Sequence, residues 1–469
     1  MIGSIKFFII LALTLTRDLK DTLVVTQCGA EAIAFLKIYG VLPAAAATIA
    51  LYSKLSNLLR PTTLFYVTCL PFFAFFLLFD LCIFPHTHVL HPTLATVQGV
   101  IGTAKATTVV AQILTHWTSA LFYIVAEIYS SVSVGLLFWA FANDVVGVDQ
   151  AKRFYPLFAQ MSGLAPVVAG QFMVQYASRA GSMGQSVHRT TLATTAAGGA
   201  ICALYRAATQ YLARTTEQQQ QEGSSSTATT TTKKADKPKL SMWESAKFLA
   251  SSRYLRLVAI LVLGYGLSIN FTEIMWKSLL KQQYPNPLDY QRFMGNFSSI
   301  VGISTCIVIF LGVQVIQWLG WSVGAVATPA LMALVSIPFF GAVLMGGTAH
   351  TASLATAVAC GTVLSLLSKT SKYALFDPTT QMAYIPLDAE SKIKGKAAID
   401  VLGSRLGKSG GSLIQQGLVV GFGSILHAAP VVSLLYYGVL LTWIGAARQL
   451  AGLFQERTNS ARRRRPKQE

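Results

Sequence analysis

Residues 368–416 read SKTSKYALFDPTTQMAYIPLDAESKIKGKAAIDVLGSRLGKSGGSLIQQ. They gather Lys369, Lys372, Lys392, Lys394, Lys396, Arg405 and Lys408, with Asp377, Asp388, Glu390 and Asp400 between them. The text on either side is apolar: ATAVACGTVLSLL over 355–367, and GLVVGFGSILHAAPVVSLLYYGVLLTWIGAA over 417–447. A charged side chain at the centre of a bilayer costs about 2.5–3.5 kcal/mol even on lenient insertion scales, so charge set among spans marks function.

The flanks set the fold class, because runs like them recur along the whole chain. Of 469 residues 53% are hydrophobic and only 12% charged, against about 25% charged in soluble domains. A helix needs about twenty apolar residues to cross a bilayer. Candidate spans fall at 4–26, 32–52, 62–84, 119–143, 154–176, 190–210, 253–276, 292–316, 322–345, 350–370, 396–422 and 427–448. The expectation is an all-α polytopic membrane protein with twelve transmembrane helices in two six-helix halves. Residues 1–212 form the first half, 213–247 an inner-face linker, 248–454 the second half and 455–469 a basic tail. The linker is rich in Gln, Ser, Thr and Lys and low in apolar residues, the composition of a flexible segment.

A net charge of +18 would suggest nucleic acid in a soluble protein. Here much of it sits at Lys233, Lys234, Lys237, Lys239 and Arg462–Arg465, in the linker and tail, where it sets topology instead. The bias of Lys and Arg puts both termini and the linker on the inner side, which agrees with an even span count. Charge that remains within the spans points to an anionic substrate. The six cysteines are scattered without metal or disulfide spacing, and the histidines lack it too, so no metal or other cofactor is expected. No Ser/His/Asp set or paired catalytic carboxylates stands out, and nothing argues for an enzyme. No cleavable targeting peptide is visible before the first span, so the expectation is either a trimmed chain or a first span that serves as the anchor.

The two halves carry matching polar text. Residues 136–171 resemble 374–416, and TRDLKD (16–21) in the first span matches NFTEIMWK (270–277) in the seventh. Paired halves with polar positions at matching places suggest a transporter with a midplane site between them. Arg17, Lys20, Asp21 and Val24 share one helix face, so Lys20 can point inward while Arg17 and Asp21 pair beside it. Glu127 stands alone among uncharged residues and needs a buried cation, a proton or a substrate group. Glu273 precedes Lys277 by four residues, a favourable helical order that neutralises part of the pair locally. Gly403-x-x-x-Gly407-Lys408-Ser409 is one residue short of a phosphate-binding P-loop and lies in a span, not after a strand. Lys408 beside small residues still lets a phosphate approach closely. Asp377-Pro378 and Tyr384-Ile385-Pro386 are expected to break the helix before the charged turn.

TRDLKDTLVVTQCGAEAIAFLKIYGVLPAA, FYIVAEIYSSVSVGLLFWAFAN, DQAKRFYPLFAQMSG, GYGLSINFTEIMWKSLLK and the 368–416 stretch together resemble the ATP/ADP translocase (nucleotide transporter) family of plastids and intracellular bacteria. The resemblance runs from Ile5 to about Phe454, linker excepted, and is nearest to nucleotide transporters of diatom plastids. It implies a major-facilitator-like architecture and exchange of ATP for ADP with phosphate. It also leaves open other NTPs or dNTPs, and proton-coupled import. Four charged positions important in the family map to Lys20, Glu127, Glu273 and Lys408, with Lys396 the rival for the last. Arg17, Lys277, Lys372 and Arg405 are second-rank substrate contacts, and Asn270, Tyr265, Trp139 and Asn143 are candidates for reading the base. Where plant relatives carry Lys-Glu before Met-Ala-Tyr, this chain has Thr380-Gln381, which bears on nucleotide selectivity. The implied setting is a monomer spanning the inner membrane of the plastid (chloroplast) envelope, with lipid but no nucleic acid as partner. A membrane enzyme acting on a nucleotide-linked substrate is the remaining alternative.

Overall fold

The computed structural model describes the backbone of residues 1–102, 104–132, 138, 141–142, 160–161, 163–222, 247, 251–346, 351–387 and 389–464. Helix is the dominant structure among these residues, joined by short turns, and none of them forms a strand. In lipid the backbone polar groups must be bonded within the segment, which helices achieve alone. The helices longer than ten residues are α1 (Ile2–Cys28), α2 (Ala32–Leu58), α3 (Pro61–Leu90), α4 (Lys105–Thr115), α5 (Trp117–Val132), α6 (163–177), α7 (Met183–Glu222) and α8 (Arg253–Gln283). They continue as α9 (Pro287–Gly346), α10 (Ser353–Met382), α11 (Ala389–Phe422) and α12 (Ala429–Arg464).

Each expected span meets a helix. The eighth and ninth are the two limbs of α9, parted at Gly320, whose φ of 83° suits a residue without a Cβ. Gly29 (φ 93°) likewise turns the chain from α1 into α2. Two expectations need correction. Helix α7 runs to Glu222, into the proposed linker, and α10 does not break at Asp377-Pro378. A π turn over Lys372–Phe376 precedes the proline, and Asp377–Met382 continues as helix. The wider turn shifts the hydrogen-bond register just where Pro378 lacks an N–H. The break comes later, after Met382.

Large apolar side chains cover the outside, such as Leu434 at 74% exposure and Leu441 at 70%, as befits a lipid-facing surface. Two cores lie inside. One is drawn wholly from the first half, with Ile5–Leu23 of α1, Phe65–Phe79 of α3 and Val187–Ala208 of α7 among its members. The other belongs mainly to the second half, but Val24–Leu36, Val109, Ala120 and Tyr123 join it. The first half thus packs onto the second through the end of α1, the start of α2 and residues of α4 and α5 beside them, the side expected to face outward. There Gln416 Nε2 donates to the Ala34 carbonyl at 3.0 Å and Ser424 Oγ to Glu31 Oε1 at 3.2 Å. Helix α6 meets the first limb of α9 on glycines: a Cβ on Gly170 would collide with the Gly295 carbonyl, and one on Gly302 with the Gly163 carbonyl. From Leu42 to Leu58, by contrast, α2 buries no residue.

Candidate functional site

The charges predicted on α1 and α8 meet in the interior, where the two halves join. Asp21 is the bridge. Its Oδ1 accepts from Lys20 Nζ at 2.9 Å and its Oδ2 from Lys277 Nζ at 2.9 Å, and all three side chains are 5% exposed. The second contact spans the halves. Lys20 also touches Glu127 Oε1 at 2.8 Å and sits 3.9 Å from the centre of the Tyr123 ring. Lys277 touches Glu273 Oε1 at 3.2 Å, one helical turn away on α8. The Glu273–Lys277 pairing expected within α8 is therefore present. The Arg17–Asp21 pairing is not: Asp21 turns to the two lysines, and Arg17 is exposed. Asp18, also buried, binds Ser298 Oγ of α9 through Oδ1 at 3.0 Å, a second tie between halves.

Lys20–Asp21–Lys277 is a closed row, since a buried charge in an apolar medium persists only with partners. Glu127 (28% exposed) and Glu273 (24%) lie at its open edge. Two cations stand with them that the sequence did not single out as site residues. Lys369 on α10, 28% exposed, lies 4.0 Å from Glu273 Oε1 and 5.0 Å from the centre of the Phe297 ring. Lys37 lies in a π turn of α2 (Leu36–Val41), is half-buried and donates to Asn270 Oδ1 at 3.0 Å. The sequence AFLKIYG gives no cue to that turn; Lys37 reads there as an ordinary lysine near a span end. Lys369 hides in a run of lysines, SKTSK.

Asn270 is 2% exposed, and its amide Nδ2 donates to the Gly266 carbonyl at 2.8 Å and the Gly407 carbonyl at 3.3 Å. With Oδ1 on Lys37, it ties α8 to α11 and holds Lys37 in this state. Lys372 is bonded to Asp377 Oδ2 at 2.7 Å and sits over Tyr373, 4.8 Å from the ring centre. Tyr265 stacks on Phe376 at 5.0 Å. Lys396, Arg405 and Lys408 belong to α11, but their side chains lie outside the described residues, as do Trp139 and Asn143. Gly407, next to Lys408, packs on Gly266, so α8 and α11 approach closely at the level of Asn270.

Four lysines and three carboxylates thus gather between the halves, with Glu127, Glu273 and Lys369 partly exposed. Among the described residues no cluster of His, Cys, Asp and Glu has the makings of a metal site.

Comparison with known proteins agrees on the fold and the family. The family model described as TLC ATP/ADP transporter matches residues 1–454. The "ADP,ATP carrier protein 1" of Chlamydia muridarum is 41% identical, over 94% of this chain and 85% of its own length. The "ADP,ATP carrier protein 2, chloroplastic" of Arabidopsis thaliana is 38% identical, over 97% of this chain and 74% of its own. The "Plastidic ATP/ADP-transporter" of Solanum tuberosum is 40% identical over 97% and 73%. Two solved structures share the fold at low identity. A bacterial homologue of the iron transporter ferroportin in its inward-facing state aligns with a TM-score of 0.54 at 15% identity, covering 94% of this chain and 98% of the other. A point mutant of the nucleoside transporter NupG aligns at 0.52 and 12%, covering 97% and 98%.

Proposed function

From the premise that the chain belongs to the TLC ATP/ADP transporter family, we propose that it exchanges ATP for ADP across a plastid envelope membrane by alternating access. The observation that carries this reading is the Asp21 bridge, which brings Lys20 of one half and Lys277 of the other to one point between the halves. A site shared by two halves is open to whichever side the halves part. Cations there bind the phosphates, whose contacts position a nucleotide without reading its base.

Exposure divides the roles. Arg17 and Lys37, exposed and half-buried, meet phosphate first, and Lys408 is the second-half lysine that the family resemblance adds to them. Lys20 and Lys277 act from below, and Glu127 and Glu273 balance them. Lys372, bonded to Asp377, is a weaker candidate for the phosphates; Lys396 and Arg405 stay candidates on the sequence alone. A carrier whose cations are held by carboxylates in one state and by phosphates in another crosses the membrane best when loaded, which supports exchange over net flux. Membership in a carrier family and the absence of catalytic spacing in the sequence speak against an enzyme.

Purified protein in proteoliposomes preloaded with ADP should take up labelled ATP several-fold faster than empty vesicles. A competition panel of other NTPs, dNTPs, phosphate and AMP then sets the range. Uptake indifferent to internal nucleotide but driven by a pH gradient would replace exchange with proton-coupled import. No uptake in either condition would overturn the transport reading.

A further inference from the structure

The two halves carry the same salt bridge with its polarity reversed. In the first half the cation is on the first span and the anion on the fourth: Lys20 of α1 meets Glu127 of α5 at 2.8 Å. In the second half the anion is on the first span and the cation on the fourth: Glu273 of α8 faces Lys369 of α10 at 4.0 Å. The pairs also differ in closure. Lys20 is 5% exposed, has Asp21 as a second partner at 2.9 Å and lies against the Tyr123 face. Lys369 is 28% exposed and reaches Glu273 only at the limit of an ion pair. Glu273 has Lys277 at 3.2 Å, so it stays neutralised when Lys369 leaves.

We propose that Lys369 is the exchangeable phosphate-binding cation of the second half, which trades Glu273 for the terminal phosphates of a nucleotide. The proposal rests on the transport reading and adds a residue and a partner swap to it. A cation that leaves a carboxylate already held by another lysine strands no charge, and Lys369 is both more exposed and more loosely held than Lys20. Lys369 is therefore the easier of the two to draw off. The swap ties phosphate number to binding: a nucleotide with more terminal phosphate charge competes better with Glu273 for the ammonium.

The test compares the wild-type protein with K369Q and K369R. Charge-assisted hydrogen bonds of this kind are worth about 10- to 100-fold in affinity. K369Q should raise the KM for ATP by about that factor, raise the KM for ADP less, and change AMP inhibition little. K369R should keep most of the wild-type KM. Equal loss for ATP, ADP and AMP, or no loss in K369Q, would overturn the proposal. Labelled-ATP binding by equilibrium dialysis runs in parallel on all three proteins, with thermal unfolding as the check that K369Q is folded. If the wild type binds ATP but does not exchange it, the transport reading fails while the binding ratio of K369Q to wild type still decides the role of Lys369.

Discussion

Asp21 accepts from two buried ammonium groups on different halves of the molecule, and no other carboxylate among the described residues has that position. Removing one partner of a buried ion set costs about 3–5 kcal/mol, because the charges left behind have no water to replace it. Asp21→Asn should therefore lower the unfolding temperature in detergent and weaken the hold of one half on the other. Glu127→Gln, at a partly exposed position, should lower it far less. Equal small shifts in both variants would show that the row is not a structural tie. The sequence disclosed Lys20 of this row and the two carboxylates at its edge, since Lys20, Glu127 and Glu273 each interrupt apolar text. It did not disclose who pairs with whom. Spacing on α1 suggested Arg17 for Asp21, but the true partner is 256 residues away on α8, and only the packing of the halves decides it. Lys37 and Lys369 were obscured for a different reason. One owes its place to a π turn and the other to the helix α10 staying intact past Ser371, and neither leaves a mark in the local text.

At the scale of elements, the joint between α6 and the first limb of α9 depends on having no side chains. Gly163 and Gly170 are seven residues apart on α6, as are Gly295 and Gly302 on α9, and each would drive a Cβ into the facing helix. Small residues at such spacing let backbones approach, and in lipid that packing is the main attraction between helices. Gln171 Nε2 adds a hydrogen bond to Ser299 Oγ at 3.1 Å. Gly295→Leu should wedge the outer ends apart. In a background without native cysteines, a cysteine at position 299, where Ser299 is 2% exposed, should then react severalfold faster with a membrane-impermeant thiol reagent. An unchanged rate would mean that the joint does not seal that side. The span pattern was legible in the hydropathy, but these joints were not: glycines are scattered through all the spans, and only the pairing of α6 with α9 picks out the four that matter.

For the molecule as a whole, the contacts between halves among the described residues gather at the end where α1 turns into α2. The end of α1, the start of α2 and residues of α4 and α5 join the second-half core, while α2 buries nothing from Leu42 to Leu58. The outer seal has two wings. One is α6 against α9; the other is α2 against α11, with Gln416 on Ala34 and Ser424 on Glu31. Alternating access requires both wings to open, since substrate must leave by that side in the opposite state. The polar bonds of the second wing suit a contact that is broken each cycle, because water takes their place at little net cost. Joining the wing covalently should hold the carrier in this one state. With cysteines introduced as E31C and S424C, again without native cysteines, a short cleavable bis-maleimide should abolish ATP/ADP exchange in proteoliposomes. Cleaving the linker with reductant should restore it. Binding of labelled ATP should survive in the linked protein in detergent, because the Asp21 row and its exposed edge are untouched by the bridge. If linked carrier still exchanges, the α2–α11 contact does not have to open for transport. Loss of exchange together with loss of binding would mean instead that the site itself needs the motion.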